Sequence, residues 1–171
     1  MCIRDSYYGL ELINKNPRTG IKAILELNAI RRELNITDVV FIIAPRINAA
    51  GRMDHGRSAV QLLISDSVGD AITESEKINK NNIDRRDADK LITEHALQQI
   101  SRDNTFENRR STVVYSAEWN KGVIGIVASR LTEKFYRPTV VLTDSNGHIA
   151  GSARSVKDFD VYNLLKHAVN I

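Results

Sequence analysis

The chain has 171 residues, 42% of them hydrophobic and 26% charged, a balance typical of a folded protein rather than of a disordered one. Its formal net charge of only +3 excludes nucleic-acid binding through a strongly basic surface. A nucleic acid would have to be bound by a few arginines at specific positions. Its single cysteine, Cys2, excludes a disulfide framework and a cysteine-rich zinc site, and no apolar run reaches the roughly 18 residues of a membrane span, so we expect a cytoplasmic protein.

Both ends of the chain are unusual. Residues 1–6 show neither the charge order nor the cleavage pattern of a targeting segment and resemble a translated adapter, so we interpret them as a non-native tail. Residues 161–171 predict an amphipathic helix that stops without a C-capping glycine or a polar tail. This pattern indicates a chain cut short within its last domain, with a naturally frayed terminus as the alternative.

The first part of the chain, residues 7–67, predicts helices only. Apolar residues recur at helical spacing over about residues 20–33, after a turn signal that contains proline and glycine. A second short helix is predicted to begin with Thr37 as its N-cap and to stop before Pro45. A third helix is predicted over residues 57–64.

A long helix is predicted next. Residues 68–102 contain no proline, are rich in charged and amide side chains, and carry only sparse apolar positions. Such a helix would be solvated over most of its surface and roughly 50 Å long, which suits a connection between two domains. We therefore assign residues 68–104 to a connecting helix and interpret His95 as a surface residue rather than a ligand.

The pattern then changes to alternating strands and helices. The predicted elements are strands at residues 112–117, 139–143 and 149–155 and a helix at residues 123–131. A turn at Asn146 and Gly147 precedes the third strand. Strand, helix and strand in this order predict a βαβ unit, so residues 105–171 indicate a small α/β domain.

Two segments combine arginine with glycine and small hydroxyl or amide residues, a composition typical of a backbone-lined anion site. The first covers residues 45–52, and the second covers residues 119–130 together with residues 151–155. Residues 119–122 lie where the first strand gives way to its helix. The first free N–H groups of that helix are therefore expected to face the crevice at the carboxyl end of the strand.

Glycines and hydroxyls within the second segment could contact a phosphate directly. Gly122 and Gly125 would allow close approach of a phosphate, although glycine at such a turn also serves as steric relief alone. Residues 151–155 offer two hydroxyls and one arginine, Arg154, which could bind a phosphate through two nitrogens. The alternative is an edge-strand arginine in a surface ion pair, which contributes little stability.

Taken together, these motifs are similar to the C-terminal portion of the RecJ-type single-strand-specific DNA exonucleases of the DHH phosphoesterase superfamily. The matching segments, in family order and spacing, are residues 45–53, 79–86, 122–131 and 151–155, together with Trp119. The resemblance covers about residues 8–171 and implies an α/β fold in three parts. These are the helical tail of a DHH domain at residues 7–67, the connecting helix, and a truncated DHH-associated domain at residues 105–171 that binds substrate.

The resemblance also implies roles for individual residues. Arg52 would lie near the 5′ end of the DNA, with Asn48 and Gly51 shaping its loop, and Ser152 and Arg154 would bind a DNA phosphate. The predicted DNA- or phosphate-binding residues are therefore Asn48, Gly51, Arg52, Gly122, Ser152 and Arg154. Ala153 stands where many relatives have glycine, which leaves less room for the substrate backbone.

The metal-binding motifs of the family are not found in this sequence. It contains no Asp-x-Asp and no Asp-His-His, its four histidines are scattered singly, and it ends before the Gly-Gly-His motif of such domains. Asp54 and His55 are adjacent but have no further carboxylates nearby in the sequence. We therefore predict no catalytic and no metal-binding residue here, with Mn²⁺ or Mg²⁺ bound in the intact parent and this chain inactive alone.

The function implied by the resemblance is that of a fragment of a divalent-metal-dependent 5′-to-3′ single-stranded DNA exonuclease of DNA repair and recombination. Two metals would activate a water in the parent, while the residues present here position the strand. Single-stranded DNA is the expected partner of a monomer, and a single-strand-binding protein or a helicase is a candidate protein partner. The alternatives are a DHH phosphoesterase acting on oligoribonucleotides or cyclic dinucleotides, and a nuclease-dead replication-factor binding module.

Overall fold

A computed structural model describes residues 3–168. Cys2 and the last three residues of the helix predicted over residues 161–171 lie outside the described residues. The helices are α1 Ile3–Lys15, α2 Thr19–Leu27, α3 Ile36–Asp38, α4 Ala44–Met53, α5 Arg57–Ile64, α6 Val68–Ser101, α7 Ile124–Phe135 and α8 Val161–Ala168. The strands are β1 Thr112–Tyr115, β2 Thr139–Ser145 and β3 His148–Arg154, and short π- and 3₁₀-helical turns occupy Val39–Ile43 and Phe106–Asn108.

The chain divides into two compact units, and the boundary between them lies between Arg85 and Arg86, within α6. The first unit is helical and the second contains the sheet, so the predicted mixed α/β class with a long helix before a small sheet is confirmed. The assignment of residues 68–104 to a separate connecting segment stays a prediction. So does the non-native origin of residues 1–6, of which Ile3 to Ser6 are helical.

The first unit buries its apolar residues where α2, α4, α5 and the start of α6 contact one another. The core residues are Ile21, Ala23, Ile24, Leu34, Ile43, Ala50, Ala59, Leu62, Ala71 and Ile78. Helix α2 lies so close to α5 that a Cβ atom on Gly20 would be 1.9 Å from the carbonyl oxygen of Leu62. Only glycine permits this approach, because any side chain at that position would overlap the backbone of α5.

Two of the predicted helix boundaries in this unit are wrong. Helix α2 ends at Leu27 rather than near residue 33, because Asn28 closes it and Ala29 takes a left-handed backbone conformation with φ of 54°. The helical path also does not stop before Pro45, which lies in the first turn of α4. Proline is tolerated there because the first N–H groups of a helix have no intrahelical partner.

The N-cap of α3 is Asn35 and not Thr37, which lies inside the helix. The Asn35 side chain accepts a hydrogen bond from the Asp38 N–H at 3.1 Å, and the Asp38 carboxylate accepts one from the Asn35 N–H at 2.9 Å. Arg32 donates to both Asp38 carboxylate oxygens at 2.7 Å. These hydrogen bonds, first from the Arg32 side chain and then from the Asn35 backbone, lower the pKa of Asp38 to about 2.

The second unit is organised around a sheet of order β1-β2-β3. Strands β1 and β2 are parallel and joined by α7, whereas β2 and β3 are antiparallel. Asn146 and Gly147 form the two-residue hairpin loop with φ of 52° and 78°, the positive values that such a loop requires. The predicted βαβ unit and its following hairpin are therefore confirmed.

Helix α7 packs one face on this sheet and contacts both β2 and β3. Its buried residues are Ile124, Val127, Ala128, Leu131 and Thr132. The second half of α6 supplies Ile92, Ala96 and Ile100 as further buried apolar residues. Within the described residues, no helix is long and apolar enough to cross a membrane.

Replacing Gly20 with alanine should destabilise the first unit by roughly 1–3 kcal/mol, because the new Cβ overlaps the Leu62 backbone. Gly9 in α1 is the matched control, since a Cβ there meets nothing within 4 Å and helix propensity favours alanine. Urea denaturation of both variants measures the difference. Equal stability of Gly20→Ala and the unchanged protein would contradict the close approach of α2 and α5.

Acid should remove a specific part of the stability of the first unit. Because the pKa of Asp38 is lowered to about 2, its charged form stabilises the fold fully above the ordinary aspartate pKa near 4, and this stabilisation is lost as the pH falls towards 2. The stability difference between the unchanged protein and Asp38→Asn should therefore shrink over this range. Denaturation at a series of pH values tests this, with exposed Asp66→Asn as control; a difference that stays constant from pH 7 to pH 2 would refute it.

Candidate nucleic-acid interface

The guanidinium of Arg154 lies at the centre of the candidate interface in the second unit. Its Nε donates to the Ser129 hydroxyl on α7 at 3.1 Å. Its Nη1 donates to the Ser152 hydroxyl at 3.3 Å and to the carbonyl of Ala153 at 2.8 Å. Ser152 and Arg154 share one face of β3 because side chains alternate along a strand. We call Gly125, Ser129, Ser152 and Arg154 the arginine cluster.

Gly125 in the first turn of α7 completes the arginine cluster by leaving room beside the arginine. A Cβ atom on this glycine would lie 3.1 Å from the Ser152 hydroxyl and 3.3 Å from Arg154 Nη2. The helix end therefore approaches the guanidinium closely, and the positive end of the helix dipole adds to its charge. This combination favours an anion beside Arg154 Nη2.

The charge of Arg154 has no carboxylate partner within the described residues. Its side chain is exposed, and none of the ion pairs found among residues 3–168 includes it. The alternative interpretation, an edge-strand arginine in a surface ion pair, therefore has no support in this part of the chain.

One hydroxyl of this cluster differs from the sequence-based prediction. The two hydroxyls predicted beside Arg154 are those of Ser152 and Ser155, but the Ser155 hydroxyl donates to the Phe159 carbonyl at 2.5 Å. The second hydroxyl at Arg154 is that of Ser129, which comes from α7. A signal for it exists in the sequence, because Ser129 follows Gly125 by four residues and such positions share one face of a helix.

The expectation that the helix after residues 119–122 begins with free N–H groups is also wrong in part. Asn120 accepts a hydrogen bond from the Gly122 N–H through its side chain at 2.8 Å. Its carbonyl accepts from the N–H groups of Val123 at 3.0 Å and Ile124 at 3.2 Å. Three N–H groups at the helix entrance are thus engaged by Asn120. The predicted role of Gly122, which rests on the close approach that glycine allows, stays a prediction.

Trp119 is buried beneath the turn at residues 119–122 and holds it in place. Its side chain is only 4% exposed, and its indole N–H donates to Nδ1 of His95 at 3.2 Å. Its carbonyl accepts a hydrogen bond from the Thr143 hydroxyl at 2.6 Å. His95 is exposed, as predicted, and supports the tryptophan from α6.

An ion pair fixes α7 to the second half of α6. Arg130 donates to both oxygens of Asp89, at 3.0 Å from Nε and 2.8 Å from Nη2. The Asp89 side chain is 6% exposed and that of Arg130 56% exposed. This carboxylate raises the pKa of Arg130 further. Since Arg130 adjoins Ser129 in sequence, the pair helps to set the position of the arginine cluster.

The first candidate segment, residues 45–52, lies in the first unit and forms a helix instead of the expected loop. Arg46 points inward, where it donates to the Asn79 side chain at 3.0 Å, to the Ile42 carbonyl at 2.7 Å and to the side chain of Asn28. Arg46 belongs to the motif at residues 45–52, but only Asn48, Gly51 and Arg52 are predicted there to contact DNA. The acceptors named here come from three separate parts of the first unit, so Arg46 holds this segment in place.

The predicted residues Asn48, Gly51 and Arg52 are exposed on α4, and a Cβ atom on Gly51 would meet nothing within 4 Å. Residues three and four apart share a helix face, so these three form one exposed polar surface. The segment is thus a helical face rather than a loop.

Neither unit contains a metal-binding cluster in the part that the structure describes. Among residues 3–168, no group of three or more histidine, cysteine, aspartate or glutamate side chains could hold a metal ion. His55 and Asp54 are exposed at the end of α4. The described residues therefore do not fit a two-metal catalytic centre, and we derive no catalytic step from them.

Comparison with known proteins gives one consistent result. Residues 109–171 match the family model of the DHHA1 domain. The single-stranded-DNA-specific exonuclease RecJ of Bacillus subtilis is 34% identical over 166 residues, which are 95% of this chain and 21% of that protein.

Two solved structures of RecJ from Thermus thermophilus give the same result. The structure in complex with Mn²⁺ covers 96% of this chain with a TM-score of 0.81 at 26% identity. The structure in complex with Mg²⁺ covers 95% with a TM-score of 0.80 at 28% identity. The chain spans 24% of each of these two structures. Its similarity to the RecJ-type exonucleases, predicted from the motifs, is thereby confirmed.

The ion pair at α7 should show an asymmetry between its two partners. Arg130→Met leaves a buried carboxylate without a cation and should cost roughly 1–3 kcal/mol of stability. Asp89→Asn should cost less, because the half-exposed guanidinium keeps contact with water. Lys134→Met on the same helix controls for loss of a surface cation. Urea denaturation measures the free energy of unfolding of each variant. A larger loss of stability in Asp89→Asn than in Arg130→Met would contradict the predicted asymmetry.

Proposed function

We propose that this chain is the strand-positioning part of a longer divalent-metal-dependent 5′-to-3′ single-stranded DNA exonuclease. The observation that carries the proposal is the arginine cluster, in which an exposed guanidinium beside a helix N-terminus is held by neutral acceptors alone. A phosphate is the group in a DNA strand that this arrangement fits, because it accepts charge-assisted hydrogen bonds and benefits from the helix dipole. Similarity to proteins named as single-stranded-DNA-specific exonucleases supports the choice of substrate.

The roles of the other predicted residues follow from the same proposal. Ser152 orients Arg154 and can turn its hydroxyl towards a phosphate oxygen, since a hydroxyl both donates and accepts. On α4, Asn48, Gly51 and Arg52 offer an exposed polar face suited to the 5′ end of a strand. In this proposal the described residues bind and orient DNA. Holding the strand in a productive orientation would raise the rate of its hydrolysis by the longer protein.

In this proposal the described residues bind no catalytic metal. The relatives whose structures were determined with Mn²⁺ or Mg²⁺ support metal dependence of the longer protein. Since residues 3–168 offer no cluster that could hold such a metal, we expect the chain alone to leave single-stranded DNA intact when Mn²⁺ or Mg²⁺ is added.

Removing the Arg154 side chain tests the proposal most directly. A hydrogen bond from a charged donor contributes roughly 1.5–3 kcal/mol, so Arg154→Ala should weaken binding of a 5′-phosphorylated single-stranded oligonucleotide about 10- to 100-fold. Because phosphate carries no base information, the loss should be similar for every base sequence, and the salt dependence should fall by about one phosphate contact. Fluorescence anisotropy over a range of salt concentrations measures both quantities.

Two controls complete this experiment. Arg110 is an exposed arginine of the same unit outside the arginine cluster, so Arg110→Ala should change affinity much less. An RNA oligonucleotide of equal length tests the alternative of an oligoribonucleotide phosphoesterase, which requires tighter binding of RNA than of DNA. Unchanged DNA affinity of a well-folded Arg154→Ala, or nucleotide release by the repurified chain with Mn²⁺, would overturn the corresponding part of the proposal.

A further inference from the structure

We propose that Ser129 is a positioning residue that holds Arg154 in its phosphate-binding orientation before a strand arrives. This inference rests on the function proposed above, because it concerns the same arginine. Neither the motifs nor the comparisons assign a role to this serine. Its distinguishing feature is its place in the structure, where it links α7 to a side chain of β3.

The Ser129 hydroxyl is oriented by two hydrogen bonds. It donates to the carbonyl of Gly125, one turn earlier, at 3.2 Å. It accepts from Nε of Arg154 at 3.1 Å. Because the single hydroxyl hydrogen is directed at the helix backbone, the oxygen lone pairs remain for the guanidinium. The serine therefore presents a fixed acceptor to Arg154.

The guanidinium is consequently fastened at two of its three nitrogens. Ser129 holds Nε, while Ser152 and the Ala153 carbonyl hold Nη1 at 3.3 Å and 2.8 Å. Nη2 is the nitrogen that lies beside Gly125, 3.3 Å from the position of a Cβ atom there. We therefore expect Arg154 to meet a phosphate through Nη2, rather than through the two nitrogens that the sequence motif predicts.

Holding the side chain in advance has a consequence for affinity. An arginine loses considerable rotamer freedom when it is fixed on binding, and a side chain that is already fixed avoids this loss. Removing the Ser129 hydroxyl should therefore weaken strand binding by about 3- to 10-fold, less than the loss of Arg154 itself. Loss of the Ser129 hydroxyl should act by lowering the order of the Arg154 side chain in the absence of DNA.

A Ser129 hydroxyl that served only the backbone of its own helix would lead to a different outcome. Serine within a helix that bonds to the preceding turn adds little stability, and alanine has the higher helix propensity. Ser129→Ala should then be as stable as the unchanged chain and should bind DNA equally well. Ser101 is a matched control, because its hydroxyl also donates to a preceding helix carbonyl, that of Gln98, at 2.9 Å.

The first measurement needs no DNA. ¹⁵N relaxation of the arginine Nε–H groups reports the order of each guanidinium, and the Arg154 signal is identified by its loss in Arg154→Lys. We expect a lower order parameter for Arg154 in Ser129→Ala, and retention of order in Ser129→Thr, which keeps the hydroxyl, and in Ser101→Ala. Equal order of Arg154 in Ser129→Ala and the unchanged chain would overturn the proposal.

The second measurement connects this order to binding. The probe is 5′-phosphorylated oligothymidylate, with affinity measured by anisotropy for the single variants and for the double variant of Ser129→Ala and Arg154→Ala. Because the serine acts through the arginine, its effect of about 3- to 10-fold should disappear when Arg154 is alanine. Weakening that persists in the double variant, or its absence when Arg154 is present, would refute the positioning role.

The outcomes separate this inference from the function on which it rests. If Arg154→Ala binds the probe as tightly as the unchanged chain, the proposed function fails. If Arg154→Ala weakens binding but Ser129→Ala neither loosens Arg154 nor changes affinity, only the positioning role fails.

Discussion

The close approach of α7 to strand β3 is the constraint on which the candidate interface depends. Gly125 permits it, since a Cβ atom there would crowd both Ser152 and Arg154. The helix is held in this place from other sides by its apolar face on the sheet and by the Arg130–Asp89 ion pair. A helix fixed so closely can present one of its serines to an arginine of the neighbouring strand, which a sheet edge alone could not do.

Regular elements could be predicted from the sequence because their patterns are local. The predicted helix at residues 57–64 coincides with α5, and the strands and the hairpin turn of the second unit are confirmed with shifts of one or two residues at most ends. The errors occur where the deciding group lies at a distance along the chain or has several uses. Thr37 is a good N-cap by type, yet Asn35 has the reciprocal partner in Asp38, and Arg32 fixes that partner.

The candidate site was predictable in composition but not in arrangement. Ser152 and Arg154 do meet, because alternate residues of one strand share a face. Ser155 and Ser129 exchange roles because the chain turns after β3, which places the Ser155 hydroxyl on Phe159 and leaves α7 to provide the second acceptor. Which helix covers which face of a sheet is a tertiary property, and hydrogen-bond partners 25 residues apart leave no periodic trace in the sequence.

The arginines of this chain provide the strongest internal argument for anion binding at Arg154. Arg32 and Arg130 each donate two hydrogen bonds to a nearly buried aspartate, so their charge is neutralised where they serve the fold. Arg154 is also held in one orientation by hydrogen bonds, to Ser129, Ser152 and the Ala153 carbonyl, but all three acceptors are neutral. Arg46 also donates to neutral acceptors, but it is only partly exposed, whereas Arg154 is exposed. An exposed arginine that is held in one orientation, with no counter-charge among residues 3–168, can attract an external anion such as a phosphate.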